Sequence, residues 1–337
     1  MATVGATVLT LADFAKSLDP NGRVATVIEL LAQTNSLLDD MLWKEGNLPT
    51  GERTTVRTGL PTVAWRLLNQ GVSGSKSTKA QIDEQCGMLE AWSEVDKDLA
   101  ELNGNSAAFR LSEAKSFIEA MNQEMAQTFF YGNSGLTPEE FTGLSIRYSS
   151  LSAANGQNIV SGSGSGSDNS SIWLVGWGEN SVHGIYPKGS QAGLMHEDLG
   201  LQTIQVQASG AEVIGGTRMR AYQDHWQWKC GIALKDWRYC VRIPNIDISN
   251  LVAKSSPADL VELMIKAIHR IPNIQTVRPV FYMNRTCVEY LDIQRRDDVQ
   301  TGGQLSYENV DGKRIMSFRG IPIRLCDTLL ETEAAVV

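Results

Sequence analysis

Between residues 106 and 131 the chain reads SAAFRLSEAKSFIEAMNQEMAQTFFY. Leu111, Ala114, Ile118, Met121 and Met125 recur at spacings of three and four, while Glu113, Lys115, Glu119, Gln123 and Glu124 take other positions, the pattern of a helix with one apolar face. One helix over 106–131 would extend about 39 Å at about 1.5 Å per residue, long for a compact domain and suited to a structural spine. Gly132-Asn133 supplies its stop. Thr137-Pro138-Glu139-Glu140 then offers a cap, a proline for the first helical position and a glutamate able to reach back, and predicts a short helical turn. Near the N-terminus, Val24, Ile28, Leu31, Leu38 and Leu42 predict a short amphipathic helix within 24–42.

Other stretches alternate with a period of two. Val63, Trp65 and Leu67 alternate with Ala64, Arg66 and Leu68 before "NQGVSGSKSTKAQ" interrupts them with small and basic residues. Residues 50–97 therefore read as a long two-stranded excursion with its tip near Gly71 to Lys79. A lone two-stranded ribbon is marginally stable in water, so this one must lie on something, either its own domain or another surface. Further on, Trp226, Trp228, Cys230, Ile232 and Leu234 form one alternating set, and Trp237, Tyr239, Val241 and Ile243 another across Asp236. Two half-buried antiparallel strands are expected there. Ser256-Pro257-Ala258-Asp259 opens a helix with Leu260, Leu263, Met264, Ala267 and Ile268 on its apolar face, ending before Pro272. "PVFYM" reads as a strand leading into a helix from about Asn284, and Ile321, Ile323 and Leu325 read as a closing strand in which Pro322 suggests an edge or a bulge. Strands and helices mix without a βαβ rhythm, which favours an α+β fold.

The tract "NIVSGSGSGSDNSSIWLVGWG", residues 158–178, sets glycines among serines before an apolar run with two tryptophans. It lacks the Gly-Lys-Ser/Thr ending of a P-loop and has no Gly-x-Gly-x-x-Gly register. It also precedes a strand, whereas a phosphate loop follows one and opens a helix. That leaves a linker or a solvent-exposed loop.

Composition narrows the function. The 337 residues suffice for two compact domains, and 42% hydrophobic content supports a core. A formal charge of −8 disfavours nonspecific DNA binding, which depends on Lys and Arg neutralising phosphates. Cys86, Cys230, Cys240, Cys287 and Cys326 make no Cys-x-x-Cys pair and no disulfide pattern, and read as reduced cytosolic thiols. Cys230 and Cys326 read as core. "MATVGATVLTLADFAK" has no basic start and its apolar run is broken by Asp13, so no signal peptide is expected, and no apolar window suits a membrane span.

Chemistry is sparse. His183, His196, His225 and His269 are scattered without the spacing of a helical metal site, and His196-Glu197-Asp198 reads as a solvated loop. No Gly-x-Ser-x-Gly elbow occurs. Asp39-Asp40, Glu139-Glu140 and Asp297-Asp298 read as helix ends and solvated faces, since sequence neighbours on a helix point about 100° apart. Trp173, Trp177, Trp226, Trp228 and Trp237 could stack sugars or bases, but on alternating strands they read as core.

Five segments, "EGNLPTGERTTVRTGLPTVAWRLLNQGV", "AAFRLSEAKSFIEAMNQEMAQTFFYGN", "SIWLVGWGENSVHGIYPKGS", "FYMNRT" and "SFRGIPIRLCDTL", resemble in order and spacing the major capsid proteins of tailed bacteriophages, in particular the short-tailed group. The resemblance implies an N-terminal arm with a short helix (1–46), an extended hairpin loop (47–97), a peripheral domain with a long spine helix (98–150), an axial domain (151–300) entered by the Gly/Ser loop, and a C-terminal strand returning to the peripheral domain (301–337). It implies a non-enzymatic subunit without cofactor or metal. Such subunits assemble in the bacterial host cytoplasm into hexamers and pentamers of an icosahedral virion capsid around double-stranded DNA. The partners implied are other copies of the chain and scaffolding, portal and decoration proteins, with no sequence-specific DNA contact and no membrane. On this reading Arg53, Arg57, Arg66, Lys76 and Lys79 of the hairpin are candidates for intersubunit ion pairs with acids such as Glu113 or Glu119 on a neighbouring spine; alternatively they keep an exposed ribbon soluble. The competing readings are a carbohydrate-binding or adhesive module using the tryptophans, and an intracellular enzyme.

Overall fold

The computed structural model describes residues 33–102, 105–206, 217–297, 305–310 and 313–337. In chain order the elements are α1 (Leu37–Asp40), β1 (Trp43–Glu45), β2 (Gly51–Gly59), β3 (Thr78–Asp96), α2 (Lys97–Glu101), α3 (Ser106–Tyr131), α4 (Leu144–Arg147), β4 (Asn169–Trp177), β5 (Val182–Tyr186), β6 (Leu194–Val206), β7 (Thr217–Leu234), β8 (Cys240–Asp247), α5 (Ile248–Ala253), α6 (Leu260–Arg270), β9 (Arg278–Met283), α7 (Arg285–Asp297), β10 (Leu305–Val310), β11 (Lys313–Phe318) and β12 (Ile321–Leu325). The described residues divide into two compact units: Gln33 with residues 88–102, 105–125, 193–206 and 217–229 form the first, and residues 34–87, 126–192, 230–297, 305–310 and 313–337 the second. β3, α3 and β7 run through both. This is an α+β chain with a mixed sheet.

The second unit is built around β4. All nine of its residues are buried, because β8 flanks it on one side and β9 on the other, both antiparallel. Ile172 and Leu174 point to a core shared with Leu260, Leu263, Met264 and Ala267 of α6 and Cys287 and Leu291 of α7. Trp173 and Trp177 point the other way, against Phe130 and Phe129 at the end of α3. β9 also pairs in parallel with β12, and β1 with β5. Asp259 caps α6 by accepting from the Glu262 amide at 2.9 Å.

The Gly/Ser tract is held along its length. The Gly162 and Gly164 amides each donate at 2.8 Å to the carbonyls of Pro244 and Asn245 at the bend of β8. A Cβ on either glycine would lie 2.7 Å from the Asn245 carbonyl oxygen, so the small residues permit a close backbone approach beside a buried strand. Asn245 adopts φ 63°, a left-handed conformation Asn tolerates, opposite a β-bulge between Ser170 and Ile172.

In the first unit, Phe109 of α3 packs with Val95 and Ala100, and Phe117 stacks on Trp226 at 5.2 Å. Arg110 bridges Asp198 at 2.6 Å and Asp224 at 2.8 Å across the β6–β7 ribbon.

The helix expected over 106–131 is present with those bounds, ending at Tyr131 where the Gly132 amide closes on the Thr128 carbonyl. Its buried face is only partly the expected one: Met121 and Met125 are buried, but Leu111 and Ile118 are exposed, and Phe109, Phe129 and Phe130 carry the packing instead. Most of the helix expected within 24–42 lies outside the described residues; among those described, only Leu37–Asp40 is helical. The strand expected at Val63–Leu67 is absent: residues 60–67 carry no partner strand, so alternation there has no sheet to face. At Thr137–Glu140 a single turn closes, the Glu140 amide donating to the Thr137 carbonyl at 3.1 Å, but it does not continue into a helix, and the Glu140 carboxylate accepts from the Asn133 amide beyond the end of α3. β7 and β8 are both strands but do not pair with each other: a 3-10 turn at Trp237–Tyr239 separates them, β8 joins β4, and both faces of β8 are buried. β12 is not an edge strand, lying between β11 and β9. Pro322 is its second residue, opposite Ser317 of β11, and pairing with β9 begins only at Ile323.

Candidate assembly surface

Within the second unit, β2 and β3 form an antiparallel ribbon in register from Gly51↔Gln85 to Gly59↔Thr78, with residues 60–77 joining them. Beyond this register the ribbon has no apolar underside of its own. Leu60, Val63, Leu67 and Leu68 are exposed, and Trp65 is fully so at 104%. A run of exposed apolar side chains such as this marks a candidate interaction surface.

The five hairpin cations fall into two groups. Arg53 is engaged across the ribbon: its Nε and Nη2 donate to Asp83 Oδ1 and Oδ2 at 2.6 and 2.7 Å, and this hydrogen bonding raises the arginine pKa and lowers that of Asp83. Arg57 lies directly opposite Lys79, a like-charge cross-strand pair, and Arg66 and Lys76 lie in the exposed joining segment. Among the described residues, none of these four has an ion-pair partner. Glu113 and Glu119 sit half-buried on α3; Glu119 Oε1 accepts from the Gln33 amide at 2.9 Å and from Gln123 Nε2 at 2.8 Å.

The root of the ribbon is the opposite of its tip. Glu52 and Glu84 face each other across the ladder and both are buried. Each is held by groups from the body of the unit: Glu52 Oε1 by the Lys235 Nζ cation at 2.8 Å, Glu52 Oε2 by His183 Nε2 at 3.0 Å, and Glu84 by a two-pronged contact with the Arg147 guanidinium at 2.5 and 2.6 Å. Burial pushes the Glu52 carboxyl up, but Lys235 and His183 outweigh it and the pKa is lowered. Gly51 precedes this pair at φ 154°, where a Cβ would lie 1.9 Å from the Glu84 carbonyl oxygen. Sequence reasoning did not find this cluster. The one available signal was His183 inside the apolar run Val182–Ile185, which indicates burial.

The C-terminal segment is also locked in. Glu333 accepts from Arg242 at 2.8 Å, from the Tyr131 hydroxyl at 2.5 Å and from Ser171, while Asn245 donates to the Val336 carbonyl at 2.8 Å and accepts from the Val336 amide at 2.7 Å. Asp40 is similarly shared by Arg278 and Arg324, each at 3.1 Å, and by the Tyr282 hydroxyl at 3.2 Å. Arg242, Glu333 and the Asp40 carboxylate are buried, and in both clusters the charged groups are used up on one another. Burial pushes the thiols of Cys230, Cys240 and Cys287 up to about 12, far from the range of a nucleophile. Among the described residues no His, Cys, Asp or Glu cluster has metal-binding geometry, and no helix is long and apolar enough to cross a membrane. Of the five candidate stacking tryptophans, Trp173, Trp177, Trp226 and Trp228 are buried and offer no stacking platform for a sugar, while Trp237 is half-buried.

A locked body that extends a ribbon with an uncovered apolar and cationic tip has the form of a protomer completed by its neighbours. Residues 19–337 match the profile of the family described as Major capsid protein GP7, and the chain belongs to that family. The cryo-EM-derived structure of bacteriophage Epsilon15 aligns over 100% of this chain and 99% of its own, at 33% identity and a TM-score of 0.78. More distant likenesses include the capsid of the native GTA particle, at 11% identity and TM-score 0.44 over 67% of this chain and 95% of that one. The SrpI encapsulin of Synechococcus elongatus matches at 12% identity and TM-score 0.43 over 71% and 97%. No curated protein matches. The chain is thus a tailed-phage major capsid protein, α+β in the fold of that group: a structural subunit of an icosahedral shell built from many copies of itself, and a component of the virion.

Proposed function

We propose that this subunit forms the hexamers and pentamers of a shell that encloses double-stranded DNA, through contacts its hairpin makes on an adjacent copy. The observation that carries the proposal is the exposed segment 60–77, with Trp65 open to solvent at the end of a ribbon whose root is buried. In this reading residues 1–46 are an arm, 47–97 the hairpin, 98–150 a peripheral domain on α3, 151–300 an axial domain and 301–337 the returning strand. Arg57, Arg66, Lys76 and Lys79 meet acids on the neighbour, with Glu113 and Glu119 of α3 as candidate acceptors, while Arg53 stiffens the ribbon through Asp83. The protein does no chemistry of its own. Assembly takes place in the host cytoplasm, with scaffolding and portal proteins, and with decoration proteins on the finished shell. The net charge of −8 supports a container wall that repels rather than condenses the genome, so that DNA must be driven in; a strongly basic inner surface in an assembled shell would contradict this.

Arg57→Glu is the sharpest test. It replaces the Arg57↔Lys79 like-charge pair with an attractive one, so the subunit should fold at least as well as wild type. If Arg57 meets an acid on a neighbour, the variant should give few closed shells by sedimentation. Wild-type shell yield would remove Arg57 from the interface.

A further inference from the structure

The root of the hairpin carries two glutamates, Glu52 and Glu84, directly opposite each other in the β2–β3 ladder and both buried. Like charges opposed across a ladder destabilise it, and burial makes each costly unless it is paired. The ladder is therefore held closed by groups outside the ribbon. Arg147 of α4 grips Glu84, and also donates to the Thr142 carbonyl at 3.0 Å; Lys235 at the end of β7 and His183 of β5 grip Glu52. The other charged or titratable groups acting on this cluster are Lys44 of β1, Glu179 in the β4–β5 turn, which pairs with Lys44, and Cys86 of β3. Cys86 is kept neutral, since burial and the Glu52 charge push its thiol up to about 12.

His183 is the weak member. It is fully buried, its Nε2 lies 3.0 Å from Glu52, and its Nδ1 has no hydrogen-bond partner among the described residues. A second proton on the ring would add a cation beside Lys235, with nothing to receive the Nδ1 hydrogen. We propose that this cluster is an acid-sensitive hinge: releasing the ribbon root from the body exposes His183 to water, where it takes up a proton and disfavours reclosure. Burial, reinforced by Lys235 and opposed by Glu52, holds the folded His183 below its ordinary value of about 6.5. The closed root is thus favoured in full above about pH 6.5, and loses stability as pH falls from there toward the depressed folded value. Glu52, with its lowered pKa, adds acid sensitivity only below the ordinary carboxylate range, so pH 7.5 to 5 isolates the histidine. Any effect on assembly rests on the hairpin reading above, but the hinge itself does not.

Hydrogen exchange on full-length, unassembled subunits tests it, following peptides that cover residues 46–60 and 78–87 between pH 7.5 and 5 with the intrinsic pH dependence removed. Root opening should rise by up to about tenfold per pH unit below about 6.5. His183→Gln, which keeps a donor for Glu52 but cannot titrate, should flatten that rise, while His269→Gln on the exposed end of α6 should leave it intact. Root protection independent of pH in the wild type, or an equal rise in His183→Gln, would overturn the proposal. The wild-type profile decides even if His183→Gln does not fold, and the shell yield of Arg57→Glu reads the hairpin contact separately.

Discussion

Arg242 and Glu333 form the most consequential pair at the scale of single residues. Both side chains are 5% exposed, and the guanidinium also donates at 2.9 Å to the Tyr148 carbonyl and lies over the Trp173 ring at 5.2 Å. Removing one partner of such a pair leaves a buried charge unanswered, at a cost of about 3 to 5 kcal/mol. Glu333→Ala should therefore lower subunit stability by about that amount in urea unfolding, and free the C-terminal segment to proteases. Gly164→Ala is a second residue-scale test, because the added methyl would meet the Asn245 carbonyl at 2.7 Å; overpacking of this kind costs about 1 to 3 kcal/mol, measurable in the same titration. Little of this was legible in the sequence. The Gly/Ser tract had the composition of a tether, and only the bend of β8 reveals why glycines are required. Glu52 and Glu84 look like solvated ribbon acids until Lys235, His183 and Arg147 arrive from distant parts of the chain.

Elements were more legible than their surroundings. Three- and four-residue spacing located α3 and α6, and strict alternation located β7, because these patterns follow from local geometry. Partner choice does not: β8 joins β4 instead of β7, a matter of long-range packing. The same limit explains α3. Its expected stripe included Leu111 and Ile118, which are 62% and 46% exposed, since an apolar stripe does not say whether its cover is the same chain or another copy. At Val63–Leu67 an apolar alternation that would suit a strand serves an exposed segment instead. Leu111→Ser with Ile118→Ser should shift subunit stability by no more than about 0.5 kcal/mol each, as exposed positions do, and should weaken assembly if α3 is covered by a neighbour. Trp65→Ser should behave likewise, with an unchanged unfolding midpoint and fewer closed shells by sedimentation.

For the whole molecule, the division between a charge-locked body and an uncovered ribbon tip accounts for a chain with a full core, no convergent site among the described residues, and membership of a capsid family. Apolar burial contributes roughly 25 cal/mol per Å², so modest hairpin contacts repeated by symmetry sum to a stable shell although each alone is weak. Area by itself does not set affinity, which is why the tip charges matter for register and closure. The most direct measurement is negative-stain electron microscopy, with light scattering, of the purified full-length protein, alone and co-expressed with its neighbouring phage genes. Closed shells, tubes, or discrete hexamers and pentamers are the expected result. A monomeric, compact particle under every condition would contradict the account.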